Sequence, residues 1–178
     1  WVLPGTYTVA LIANGKTSTQ PLTVAMDPRV KTSASDLQQQ FALSKEIYDD
    51  IAQLEAINDR AREFLKQYRA SIASADIKSL RKQAAELSGA SAEEDDEAPP
   101  AATPDHETLA SLTQSLRAVL RLLQESDDAP TTQLAAAVED RRHAVAELLN
   151  RAATFETAVK AAKLPPPAKG SSAIKPQP

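Results

Sequence analysis

Between Thr6 and Ala13 apolar and polar side chains alternate: Tyr7, Val9 and Leu11 point one way, and Thr6, Thr8 and Ala10 the other. A period of two predicts a half-buried strand. Asn14-Gly15 follows, a pair that accepts the positive φ angles of a two-residue type I′ turn. Lys16 to Val24 returns as the partner strand, and Pro21 places that strand at a sheet edge or at a bulge, because proline has no N–H to give to a ladder. A lone hairpin is marginal in water. Its apolar face is therefore expected to pack on strands outside this sequence or on the helices that follow.

Asp27-Pro28 stops the second strand, and the period then lengthens. Ser35 and Gln38 are spaced as a capping box. From there a seam runs through Leu37, Phe41, Ser44, Ile47/Tyr48, Ile51, Leu54, Asn58, Ala61, Leu65 and Tyr68. Steps of three and four over several heptads predict a long helix making coiled-coil-like contacts. It should break within Ser71-Ile72-Ala73-Ser74. A second helix carries Ile77, Leu80, Ala84 and Leu87 and ends at Gly89, a residue suited to the left-handed C′ position.

Residues 90–102 read as a disordered linker, with the run Glu93-Glu94-Asp95-Asp96-Glu97 and then Pro99-Pro100. Thr103-Pro104-Asp105 supplies a cap, a proline at the first helical position and an acid in the first turn. Leu109, Leu112, Leu116, Val119/Leu120 and Leu123 mark a third helix. Asp127-Asp128-Ala129-Pro130 turns the chain, with Thr131 or Thr132 near the next start. The fourth helix shows Leu134, Val138, Arg141, Val145, Leu148/Leu149, Ala152, Phe155, Val159 and Ala162, and Leu164-Pro165-Pro166-Pro167 ends it. The expected order is a hairpin over 1–30, a helical hairpin over 31–89, the linker 90–102, a second helical hairpin over 103–164 and a flexible tail over 165–178. Long helices joined by short turns pack antiparallel, which predicts a mainly α chain with a small β part closing as an antiparallel four-helix bundle.

Composition narrows the function classes. Hydrophobic residues reach 42%, but aromatics only 4%, which favours helices with thin seams over a thick globular core. The net charge of −4 carries no clustered Lys and Arg, and so no nucleic-acid footprint. Cysteine is absent, which removes disulfides and thiolate chemistry. No apolar run reaches the roughly 20 residues of a membrane span.

Candidate chemistry is sparse. His106 and His143 are the two histidines, without His-x-x-x-His or Glu-x-x-His spacing. The acidic run Glu93 to Glu97 lacks the alternating ligands and central Gly of a Ca²⁺ loop. Serines stand in neither a Gly-x-Ser-x-Gly elbow nor a Ser-x-x-Lys active-site setting; Ser44-Lys45 and Ser79-Leu80-Arg81-Lys82 read as helix surface. The four glycines form no phosphate loop. Asp49-Asp50 and Glu139-Asp140 read as solvent-facing charge on Lys- and Arg-studded helices. Asn58 and Arg141 interrupt two seams, either to set register or partner choice or because they lie at the stripe's flank. Trp1 and Tyr7 are expected in a sandwich core and Tyr48 between helix and sandwich. No catalytic, cofactor-binding or metal-binding residue is assigned.

Pro4-Gly5-Thr6-Tyr7-Thr8-Val9, Gln20-Pro21-Leu22-Thr23-Val24 and Met26-Asp27-Pro28-Arg29-Val30 resemble the C-terminal region of large bacterial sortilin-like propeller proteins. Those proteins carry neuraminidase-type (BNR) repeats and are often labelled glycosyl hydrolases or exo-sialidases. Ser35-Asp36-Leu37-Gln38-Gln39-Gln40-Phe41-Ala42-Leu43-Ser44, Asp127-Asp128-Ala129-Pro130-Thr131-Thr132-Gln133 and Lys163-Leu164-Pro165-Pro166 look like that region too. The resemblance implies an exported parent, periplasmic or extracellular, with an N-terminal propeller and an immunoglobulin-like or fibronectin-III-like sandwich whose last hairpin begins this chain. It implies a non-catalytic accessory module whose partners are the parent's own propeller and sandwich. A homodimer or a protein partner bound through the helices stays open, as does a role in substrate access to a glycoside-hydrolase parent.

Overall fold

The computed structural model describes residues 2–69, 74–90, 106–162 and 164. They form a two-stranded antiparallel sheet, β1 (Gly5–Ala13) and β2 (Lys16–Val24), and four helices: α1 (Ala34–Gln67), α2 (Ala75–Ser88), α3 (Leu109–Leu123) and α4 (Thr132–Ala161). The chain is thus mainly helical with a small N-terminal hairpin. It divides into two compact units, Trp1–Asp49 with Arg117–Glu139, and Asp50–Leu116 with Asp140–Pro178.

In the first unit the hairpin register is unbroken from Ala13↔Lys16 at the turn to Gly5↔Val24 at the base. Pro21 therefore sits in a regular ladder and not at a bulge. Asn14 and Gly15 have φ of 49° and 73°, both positive as a type I′ turn requires. Directly paired residues share a face, so Tyr7 and Leu22 lie together with Val9 and Leu11, while Thr6, Thr8, Thr17, Thr19 and Thr23 line the other. The apolar face stays open to water: Val9 is 50% exposed, Leu11 67% and Leu22 49%. Among the described residues of this unit, the helical segments leave that face open. The Tyr7 hydroxyl donates to Leu3 O at 2.6 Å, tying the start of β1 to the chain that leads into it.

Beyond β2, Asp27 and Arg29 close a tight turn. Val30 N–H donates to Asp27 O at 3.0 Å, Arg29 N–H donates to Asp27 Oδ1 at 2.9 Å, and the two side chains form an ion pair at 2.6 Å. The cap of α1 is Ser33, not Ser35. Ser33 Oγ accepts from Asp36 N at 3.2 Å, Ser33 O accepts from Leu37 N at 3.1 Å, and Ser33 Oγ–H reaches Asp36 Oδ2 at 2.7 Å. An acid three residues after the cap also complements the positive end of the helix dipole, which favours this frame over Ser35 with Gln38. Thr131 caps α4 through Leu134 N at 3.2 Å. Of the buried apolar side chains, Leu37, Ile47, Leu123 and Val138 belong to this unit.

The second unit holds most of the buried side chains among the described residues. Leu54, Ala61, Leu80, Ala84, Leu109, Leu112, Leu116, Val145, Leu148 and Ala152 are buried in it. Phe64 stacks obliquely on Tyr68 at 4.8 Å and meets Phe155 edge to face at 5.5 Å. The seam of α1 departs here from the sequence reading. Ile57 and Phe64 are buried where Asn58 and Leu65 were expected, and these two are half-buried. Ile47, Leu54, Ala61 and Tyr68 keep a seven-residue spacing, so only the second row of the stripe shifts, by one position toward the N-terminus. Ser74 caps α2 through Asp76 N, and Gly89 ends it with φ 77°, its N–H donating to Ala85 O at 2.9 Å.

The start of α3 also differs from the sequence reading. Residues 106–108 are not helical, and Thr108 with Ser111 makes a reciprocal cap: Thr108 Oγ1 accepts from Ser111 N at 3.2 Å and Ser111 Oγ accepts from Thr108 N at 2.9 Å. The cap expected at Thr103-Pro104-Asp105, the acidic linker, most of the Ser71–Ser74 break and the tail over 165–178 lie outside the described residues.

Candidate functional site

The first unit contains a cleft of about 360 Å³. Val2, Leu3 and Pro4 lead into β1 along one side, Met26 follows β2, and Leu37, Phe41 and Tyr48 of α1 complete the apolar walls. Gln40, Ser44, Lys45 and Asp49 of α1, with Gln124 and Asp127 of the α3–α4 turn, add the polar groups. A volume of a few hundred Å³ with apolar walls and few polar groups lies in the range of small-ligand sites.

Three of those side chains, Gln40, Lys45 and Asp49, are already engaged. Lys45 Nζ and Asp49 Oδ2 pair at 2.5 Å one helical turn apart. Gln40 Nε2 donates to both Leu123 O and Ser126 O at 2.6 Å. Leu123 O is one of the last carbonyls of α3, which have no partner inside the helix. Thr32 Oγ1 donates to Asp127 O at 2.5 Å and fastens the same turn. Ser44 is buried, 6% exposed, and its Oγ has no hydrogen-bond partner. A serine nucleophile requires a base within hydrogen-bond reach to take its proton, and among the described residues none bonds Ser44 Oγ.

A smaller cleft of about 220 Å³ lies in the second unit, lined by Gln83, Glu86, Leu87, Arg151, Thr154 and Phe155. Beside these residues, Arg151 Nη1 donates to Glu107 O at 3.2 Å and Arg141 Nη1 donates to Glu107 Oε1 at 2.7 Å. Arg141 therefore leaves the α4 seam to hold the segment before α3. Asn58 is half-buried at the flank of its stripe, with Oδ1 unpaired.

The structure brings few of the candidate residues together. His106 lies exposed ahead of α3 and His143 exposed on α4. Asp49 pairs with Lys45, while Glu139 and Asp140 are exposed on α4. Tyr48 is 65% exposed, yet it lines the cleft alongside Leu3, Pro4 and Met26 from the ends of the hairpin. Trp1 and Glu93 to Glu97 lie outside the described residues. Among the described residues no group of three or more His, Asp or Glu converges as a metal site, and no helix is long and apolar enough to cross a membrane. Sequence reasoning missed Gln40. Its only signal was its place three residues after Leu37 and four before Ser44, on the seam where Phe41 had been expected. Comparison with protein-family models, with curated proteins and with solved structures finds no match to this chain.

Proposed function

We propose that the chain is a non-catalytic C-terminal accessory module of a larger exported propeller protein of the sortilin-like, neuraminidase-repeat type. In this reading β1 and β2 are the last strands of an immunoglobulin-like or fibronectin-III-like sandwich. The four helices form an antiparallel bundle that braces the sandwich and propeller in the periplasm or outside the cell. The work of the module is mechanical.

The observation that carries this reading is the state of the hairpin. Its strands are nine residues each and regularly paired, yet one apolar face lies open, a condition two strands do not sustain alone. The Tyr7 hydroxyl bond to Leu3 O, four residues upstream, supports a sandwich in particular. A tyrosine near the start of a strand that bonds back to the preceding backbone is the tyrosine corner of such folds.

The test is to read the coding DNA upstream of Trp1 and then to delete residues 31–178 from the encoded protein. Propeller repeats followed by further sandwich strands are expected, and an unrelated upstream domain would refute the family placement. The deletion should lower the parent's stability while the surviving protein keeps its turnover. A large change of turnover in stable protein would sink the bracing role.

A further inference from the structure

Two threonines of α4 show how a helical hydroxyl finds a partner. Thr154 Oγ1 donates to Asn150 O at 3.0 Å and Thr157 Oγ1 to Ala153 O at 2.8 Å, each bonding back to the carbonyl four residues earlier. Ser44 of α1 makes no such bond, although Gln40 O stands in the same relation to it. It is 6% exposed, its Oγ has no partner, and it lines the first cleft, whose walls all belong to the first unit. A buried hydroxyl left unpaired is destabilising and calls for an explanation.

Gln40 stands one turn before Ser44 on the same face of α1 and lines the cleft as well. Both N–H groups of its amide are taken by Leu123 O and Ser126 O. Its Oε1 is then the atom left to meet a ligand, as an acceptor, on an amide that those two bonds hold in place. The Ser44 hydroxyl both donates and accepts. Leu3, Met26, Phe41 and Tyr48 supply apolar wall around them. Lys45 is neutralised by Asp49, and Asp127 adds one carboxylate, which disfavours an anion. An ammonium would give up its water for one buried neutral hydroxyl, a loss that a neutral donor does not incur. We infer that this cleft binds a small neutral molecule with an apolar body and one amide or alcohol head, which donates to Gln40 Oε1 and accepts from the Ser44 hydroxyl. A dry cavity of about 150 Å³ takes benzene, so about 360 Å³ suits one ring carrying a short chain. Rotation about the single side-chain torsion of Ser44 turns its hydroxyl toward the head without moving α1. The inference goes beyond the bracing role and does not depend on it.

The probe is N-benzylacetamide, titrated into the polypeptide as the source gene encodes it and followed by ligand-observed NMR. Saturable binding with a dissociation constant on the order of 1 mM is expected for a molecule of this size. The similarly sized 3-phenylpropionate and 3-phenylpropylamine should bind at least about fivefold more weakly. Ser44→Ala should weaken the amide by about three- to tenfold while leaving ethylbenzene bound at least as tightly. Met26→Trp, which fills the cleft from its wall, should abolish binding of both, with the helical circular dichroism unchanged. Absence of saturation, an amide affinity indifferent to Ser44→Ala, equal losses for amide and hydrocarbon, persistence in a folded Met26→Trp variant, or tighter binding of either charged probe would each overturn the assignment. So would binding by the 178-residue chain that vanishes in the encoded polypeptide, which would make upstream residues the occupant of the cleft. An upstream region without propeller repeats would refute the proposed parent and leave this titration unaffected.

Discussion

Gly89→Ala is the substitution whose effect the structure specifies most fully. Gly89 ends α2 in the left-handed region, at φ 77° and ψ 13°. A side chain in that conformation costs about 1–2 kcal/mol. The space for it is also taken: a Cβ would stand 2.8 Å from Thr108 Oγ1 and 3.2 Å from Thr108 Cβ. Thr108 cannot swing aside freely, because it is buried and its Oγ1 caps α3. Crowding of this kind costs about 1–3 kcal/mol. Alanine stiffens the unfolded chain, which offsets about 0.4–1 kcal/mol. The net expectation is a loss of about 3 kcal/mol. With a urea dependence of about 2 kcal/mol per molar, the midpoint of the helical circular-dichroism transition should fall by about 1.5 M. Thr108→Ala separates the two causes. Alone it should cost about 1 kcal/mol through the lost cap. Combined with Gly89→Ala it relieves the crowding, so the double variant should fall short of additivity by about 1–2 kcal/mol. A midpoint shift below about 0.5 M would refute the strain argument, and an additive cycle would refute the close approach of Gly89 to Thr108.

Phe64→Ala removes a ring packed on Tyr68 and Phe155, and should lower stability by about 3–5 kcal/mol. Leu11→Ser, on the open hairpin face, should stay within about 0.5 kcal/mol in this chain; thermal melts of both read the contrast. Ser44→Ala deletes a buried hydroxyl without a partner, so it should be neutral or stabilising by up to about 1 kcal/mol in urea titration. A clear loss would mean that the hydroxyl has a bonded partner in solution. Arg29 holds the Asp27 carboxyl below its ordinary value of 3.8, chiefly by side-chain hydrogen bonds and secondarily through its backbone N–H. The sign follows: the turn is supported above the unfolded value and loses that support as pH falls through the lowered folded value. A carbon-detected NMR titration should place the Asp27 midpoint below 3.8, and Arg29→Ala should raise it toward that value.

The elements whose cause is local were legible in the sequence. The hairpin and its turn follow from strict alternation around Asn14-Gly15, and the end of α2 from Gly89, because each depends on residues within a few positions. Errors arose where two local solutions compete. Ser33 and Ser35 both offer a cap, and the contest is decided by Asp36 standing three residues after Ser33. The α1 seam was read in steps of three and four through Asn58 and Leu65, whereas Ile57 and Phe64, one position earlier, are buried, a shift that no single residue announces. The start of α3 was set by a proline motif, whereas the described helix is capped by Thr108 and Ser111, a pairing less conspicuous than Thr-Pro-Asp.

The polar side chains of the clefts illustrate a different limit. Gln40 bonds to carbonyls 83 and 86 residues away, Thr32 to one 95 residues away, and Arg141 to a carboxylate 34 residues away. A polar residue in an apolar seam reads equally as a functional group or as a flank position until its distant partner is known. Here the partners are backbone carbonyls at the end of α3 and in the turn after it, and the carboxylate of Glu107 ahead of α3. Gln40, Thr32 and Arg141 therefore spend their hydrogen bonds fastening the ends and connections of helices. Each long-range polar bond fixes the position of a connecting segment, which an apolar contact would specify less well.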